Sequence, residues 1–292
     1  MIASRRAVLA ALGAGALVGC GRTAGRASDS RLASAAPSAA RSRPLRAVPQ
    51  ATALAAPALT RAQIMARYGS LRPHTWGFGG PGVIRDLHTS RRVIALTFDA
   101  CGGPGGSGYD QALIGFLRRY QVPATLFLNS RWIDANPAAF RQLAGEPLFE
   151  IANHGTRHLP LSVTGRSAYG ITGTRDAGQV YDEVAGNQAK LTRLLGVPPR
   201  LFRAGTAYSD DIAARIVTAM TDRLVTFSVN GDGGATFTAR QVRDTVAAAP
   251  GGSIVLCHMN HPASGTAEGI TAAVPRLIHA GYRFARLSDE LR

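Results

Sequence analysis

From residue 92 onward, short apolar runs alternate with longer stretches in which apolar residues recur every three or four positions. The runs RVIALTF (92–98), ATLFLN (124–129), LFEIAN (148–153), RLFRA (200–204), RLVTFSV (223–229), SIVLCH (253–258) and YRFARL (282–287) have the length and continuous apolarity of buried strands. Between them, 109–120, 137–143, 180–196, 209–220, 239–249 and 269–281 carry helical spacing. Leu113, Phe116 and Leu117 make one stripe, Ser209 stands as a cap, and Gly196 before Pro198 and Pro199 closes the longest helix. This alternation predicts an α/β domain of about seven parallel strands. In such folds functional groups gather where strands end.

The first ninety residues break the pattern. MIASRRAVLAALGAGALVGCG opens with Arg5 and Arg6, continues through an apolar segment from Ala7 to Val18, and reaches small residues at Cys20. That segment is short for a permanent span and reads as an export signal. SRRAVL is similar to a twin-arginine motif, and LVGC to the lipobox that leaves its cysteine lipidated; a plain secretory signal is the other reading. Residues 21–60 are rich in Ala, Ser, Arg and Pro, too poor in large apolar side chains to order, and read as a disordered basic linker. Residues 61–91, with HTWGFGGPG at 74–82, form an N-terminal extension to which the pattern assigns no element, closure of the domain's bottom being one role open to them. The folded domain is expected over 92–292.

Charge follows the same division. The chain carries a formal net charge of +15, but residues 21–92 hold twelve Arg against two acidic residues, while 93–292 hold nineteen basic and sixteen acidic ones. A nucleic-acid surface needs its excess on one folded face, so that class is excluded, and the arm suits anionic lipid or wall polymer instead. The expected protein is a monomer outside the cytoplasm, held to the membrane through lipid on Cys20, or otherwise secreted. With Cys20 assigned to lipid, Cys101 and Cys257 remain as an even pair in an oxidising compartment; a disulfide between them and two separate buried thiols are both open.

Polar residues interrupt the runs at equivalent places. Asp99 follows Leu96, Thr97 and Phe98 and precedes the glycine-rich loop 102–108, which is expected to border an open groove. His154 and His158 lie four apart in NHGTRH, and imidazoles so spaced can converge on one Zn²⁺. Arg203 sits inside an apolar strand, where a guanidinium needs an anion: Asp99, or alternatively Asp210 or Asp211 in a purely structural pair. In NGDGG, Asn230 and Asp232 either orient a neighbour or make a turn. His258 ends IVLCH, with His261 following, and can exchange a proton near neutral pH. Together these groups describe a metal-assisted hydrolytic site.

The same residues carry a resemblance. Residues 92–287 resemble a polysaccharide deacetylase of carbohydrate esterase family four, the NodB-like domain, through ordered motifs: TFDA (97–100) for TFDD, HGTRH (154–158) for the two-histidine motif, Arg203 in RAGTAY, the looser FSVNGD (227–232), and LCH (256–258). The resemblance implies a distorted (β/α) barrel that hydrolyses acetyl groups, N-acetyl foremost, on an extracellular or cell-wall polysaccharide such as peptidoglycan or another amino-sugar polymer. It implies Asp99 as general base, His154 and His158 as ligands of a divalent ion (Zn²⁺, with Co²⁺, Mn²⁺ or Ni²⁺ as alternatives), Arg203 as the residue orienting Asp99, and His258 as general acid. Ala100 departs from the pattern, since the family's second aspartate there completes the metal triad and a methyl group cannot. Asp110, Asp232 or an unbridged Cys101 could complete the set, or the ion could be held weakly and completed by substrate. The rival is a catalytically weak or inactive glycan-binding lipoprotein. A two-lobed solute-binding protein is disfavoured by the single barrel-sized region.

Overall fold

The computed structural model describes residues 59–220 and 223–291. The export signal, Cys20 and nearly all of the 21–60 linker therefore lie outside the described residues. Among those described, no helix is long and apolar enough to cross a membrane.

The chain begins with helix α1 (Arg61–Tyr68) and the short strands β1 (Trp76–Gly77) and β2 (Val83–Ile84), then enters β3 (Val93–Ala100) and α2 (Gln111–Arg119). It continues through β4 (Ala124–Leu128), α3 (Ser130–Ala135), α4 (Pro137–Ala144) and β5 (Phe149–Asn153). A hairpin of β6 (Ser167–Ala168) and β7 (Ile171–Thr172) precedes α5 (Ala177–Leu195), β8 (Leu201–Phe202), β9 (Ser209–Asp210) and α6 (Asp211–Met220). The last part comprises β10 (Arg223–Val225), β11 (Val229–Asn230), α7 (Ala239–Ala247), β12 (Ile254–His258), α8 (Thr266–His279), β13 (Arg283–Phe284) and α9 (Leu287–Glu290).

The main sheet runs β11-β12-β3-β4-β5-β8-β10-β2, with β13 added beside β3, and its pairs are parallel. β10 and β11 stand near opposite ends of this path, yet only residues 226–228 separate them in sequence. The four steps from Val225 to Val229 reach no more than ~14 Å, so the sheet must curl until its ends approach, which makes a distorted barrel. The seven expected strands all occur in place. The fifth is interrupted between β10 and β11 because it leaves β8 to join β12.

Parity along β3 divides the core. Val93 and Ala95 face the barrel interior with Phe127, Val225, Ile254 and Leu256. Ile94, Leu96, Phe98 and Ala100 face the outer layer under α2, α4, α7 and α8. With both sides covered, every residue of β3 is buried, which explains its continuous apolarity. Helix ends follow local chemistry: Asp110 caps α2 through Leu113 N (2.9 Å), and Thr238 with Gln241 forms a capping box on α7. At α6 the cap is Asp210, whose Oδ1 accepts from Ala213 N at 2.7 Å. Ser209, expected there, instead pairs in β9 with Gly77.

Residues 61–91 join this body. Ile64 and Tyr68 of α1 are buried with Val180, Val184, Ile216 and Val217 of α5 and α6, and β2 extends the sheet beside β10.

Candidate metal and catalytic site

β3 brings Asp99 to its penultimate position, buried at 4% exposure, beside His258 in register on β12. Ala100 turns outward into the apolar layer, and Cys101, one residue later, shares the parity of Asp99. The Cys101 Sγ lies 3.9 Å from His154 Nε2, and the ligand atoms of Cys101, His154 and His158 all lie within 4.8 Å of one another. The missing aspartate of the sequence reading is thus answered by a thiol one position further on. Asp110, also considered, caps a helix instead, and Asp232 goes to His258.

The expected alternative of a Cys101 to Cys257 disulfide is not formed; both cysteines are free. Cys257 belongs to the outer apolar layer with Phe98 and Met259, because its neighbour His258 takes the inward face of β12. The two sulfurs therefore stand on opposite sides of the sheet. Burial pushes the Cys257 thiol up, well above its ordinary value. Burial also opposes ionisation of Cys101, but the imidazoles of His158, His154 and His258 outweigh it and hold that thiol well below the ordinary range.

Each histidine is held by its surroundings. His154 Nδ1 donates to the Arg203 carbonyl at 2.9 Å, which leaves Nε2 as the nitrogen facing Cys101 and Asp99. His158 sits on a loop closed by Glu183 of α5, whose buried carboxylate accepts from Arg157 N (3.0 Å) and Leu159 N (3.2 Å). Burial raises the Glu183 pKa in spite of these amides. His158 itself has φ +64, a strained conformation for this residue, of the kind over-determined surroundings sustain at functional sites. A side chain at Gly155 would strike the Glu183 carboxylate, so the loop needs glycine there. Beneath it, buried Asn129 donates to the carbonyls of His154 (2.9 Å) and Gly155 (2.8 Å), and Asn153 accepts from Gly155 N (2.9 Å).

Arg203 is fully buried. Its guanidinium gives Nη1 to Asp99 Oδ1 at 2.7 Å and Nη2 to the Thr226 carbonyl at 2.8 Å, over the Phe127 ring at 4.0 Å. The anion required by the sequence is therefore Asp99. Asp210 accepts from Val163 N, and Asp211 from His74 N, both 2.7 Å. Burial would raise the Asp99 pKa, but His154, Arg203 and His258 overcome it and keep the carboxyl below its usual range. The other Asp99 oxygen stands 3.4 Å from His154 Nε2.

Asp232 emerges as an orienting group. It accepts from His258 N (2.6 Å), Thr266 Oγ1 (3.0 Å) and Gly234 N (3.1 Å), and its Oδ1 lies 3.0 Å from His258 Nδ1. Burial would lower the His258 pKa, yet the facing carboxylate of Asp232 raises it well above the ordinary imidazole value. Asn230 accepts from Gly233 N at 3.0 Å, a turn contact. Loop 102–108 is tied down through Gly102 N to Gly106 O (2.9 Å) and Asn260 Nδ2 to Gly106 O (2.8 Å). Glu183 was missed in the sequence, although a carboxylate among Val180, Val184 and Leu191 on the buried stripe of α5 was the available signal.

A thiolate and two imidazoles form a borderline-soft donor set, and Zn²⁺ fits it better than Mg²⁺ or Ca²⁺, which prefer all-oxygen ligands. The arrangement places the Asp99 carboxylate, a cluster of Cys101, His154 and His158 that could hold a cation, and the His258 imidazole at neighbouring strand ends.

Comparisons with known proteins place the chain in a family and match its fold. The profile of the family described as polysaccharide deacetylase matches residues 86–224. An uncharacterised protein of Streptomyces coelicolor is 30% identical over 222 residues, covering 72% of this chain and 78% of that protein. A peptidoglycan-N-acetylglucosamine deacetylase of Bacillus cereus is 27% identical, over 71% of this chain and 92% of its own. Among solved structures, a family 4 carbohydrate esterase from Bacillus anthracis superposes with TM-score 0.57 at 21% identity, covering 75% of this chain and 95% of that one. A family 4 pseudoenzyme from the same organism gives TM-score 0.61 at 20% identity, covering 73% and 70%.

Proposed function

The chain belongs to the polysaccharide deacetylase family, and from that premise we propose that it hydrolyses acetyl groups, N-acetyl foremost, on a cell-wall glycan. The observation that carries the reading is the meeting of Cys101, His154 and His158 within 4.8 Å, with Asp99 3.4 Å from His154. Cys101, His154 and His158 would hold the cation, with Zn²⁺ the preferred ion and Co²⁺, Mn²⁺ or Ni²⁺ as substitutes. When bound, the ion supplies Lewis acidity for the acyl carbonyl and acidifies water.

The chain's own groups divide the proton work. Asp99, kept ionised by Arg203, takes the proton of the attacking water. His258, kept protonated by Asp232, gives a proton to the leaving amine. Arg203 and Asp232 are positioning residues that act through these two.

The export motif and lipobox-like LVGC support a protein held outside the cytoplasm by lipid on Cys20 and acting as a monomer. The name of the Bacillus cereus relative supports peptidoglycan as the polymer.

The test is acetate release from acetylated peptidoglycan and chito-oligomers by chelator-treated protein titrated with Zn²⁺, Co²⁺, Mn²⁺ and Ni²⁺. Metal-dependent release is expected, reduced by about 10²-fold or more in D99N with metal content kept, and lost together with bound metal in C101A. Affinity for acetylated oligomers with no acetate at any metal concentration would replace the hydrolase by a glycan binder.

A further inference from the structure

The loop between Arg203 and α6 does more than back the metal ligands. The Arg203 carbonyl accepts from His154, and Gly205 approaches the His158 backbone more closely than any side chain would allow. Three residues later Tyr208 starts a row of aromatic rings. Its ring meets Phe78 edge-on at 5.2 Å, and Phe78 stacks on Phe227 at 5.4 Å, next to Thr226, whose carbonyl holds Arg203. On its other side Tyr208 meets Tyr169 at 5.5 Å and 89°, and Trp76 at 5.6 Å. The guanidinium of Arg166 lies 5.2 Å over Trp76.

Tyr169 is the informative member. It is 75% exposed, and it occupies the first turn position of the β6-β7 hairpin, with φ +52 followed by Gly170 at +76. Such turns favour Asn or Asp at that position, and a bulky ring there costs on the order of 1 kcal/mol or more. A strained backbone that presents a largely exposed tyrosine to solvent, braced at 89° against Tyr208, is poorly explained by packing alone.

We propose that this row is a stacking platform for pyranose rings of the glycan chain flanking the reacting residue, an inference that rests on reading the site as a glycan deacetylase. Sugar rings offer apolar C–H faces and hydroxyl rims. Tyrosine and tryptophan match both with an apolar face and a polar tip, and Arg166 adds donors for hydroxyl or acyl oxygens. The occupant is thus an oligosaccharide rather than a protein segment. Residues 203–208 join this row to the segment that backs His154 and His158.

The experiment measures binding of N-acetylglucosamine oligomers of one to five residues to the full holo-protein, with acetate assayed in the same samples. Of the two tryptophans, Trp132 is fully buried, so emission changes report Trp76. Affinity should tighten with chain length, with a Trp76 emission shift absent in W76F. Y169A should lose at least fivefold in affinity for the tetramer and abolish the gain from lengthening, while Y169F should restore both. An unchanged length dependence in Y169A, or loss in Y169F equal to that in Y169A, would overturn the platform. Absence of acetate alongside intact length-dependent binding would reject the hydrolytic reading and leave the platform standing.

Discussion

At the scale of single residues the site is two buried pairs with opposite tasks. Arg203 favours the ionised form of Asp99 and Asp232 the protonated form of His258, so in the proposed mechanism base and acid coexist at one pH. The pH profile follows from the signs of these shifts. The proposed mechanism requires His258 to carry its proton, and the Asp232 carboxylate extends that state to higher pH. In D232N the alkaline limb of kcat/KM should move to lower pH, and the rate above pH 8 should fall by about 10²-fold. A limb that stays in place would assign it to another group. The five residues expected from the sequence lie together because four stand at or next to the end of a strand, while His158 is brought back by a loop that Glu183 holds. Cys101 was legible only as one option among three, since a sequence does not show that Ala100 faces outward while residue 101 faces in.

At the scale of elements, helix α5 and the loop 153–159 act as one unit. Glu183, Asn129 and Asn153 hold the backbone of this loop through several hydrogen bonds, and under the proposed metal role of His154 and His158 groups placed behind ligands in this way commonly change metal affinity by ~10–100-fold. E183A should weaken zinc binding by that amount, read by competition with a chromophoric chelator, while far-UV circular dichroism stays unchanged. Zinc affinity equal to wild type would make Glu183 a packing residue only. Strand and helix positions were readable because buried strands and amphipathic helices impose different periods on the chain. The breaks were not: the run 223–229 looks continuous, and its division into β10 and β11 reflects a change of neighbour. Likewise Ser209 and Asp210 are both good caps by composition, and only the pairing of β9 removes Ser209 from that role.

At the scale of the whole molecule, residues 61–91 complete the body rather than precede it. Ile64 and Tyr68 are buried against α5 and α6, and each large apolar side chain so covered contributes ~1.5–3 kcal/mol. A chain beginning at residue 92 should therefore melt at least ~5 °C below one beginning at residue 59; equal melting temperatures would show that α1 and β2 add nothing. The sequence by itself determined the α/β alternation and the placement of Asp99, His154, His158, Arg203 and His258 at or just after strand ends, because period and position are properties of the chain read locally; the division of charge drawn at residue 92 moved, since Arg61, Arg67, Arg72, Arg85, Arg91 and Arg92 belong to the folded body. Only the tertiary structure decided the third metal ligand, the partners of Arg203 and Asp232, the separation of Cys101 from Cys257, and the docking of 61–91. Each of these depends on which way a side chain points and on which distant segment lies opposite, and barrel closure sets both through contacts between residues a hundred or more positions apart.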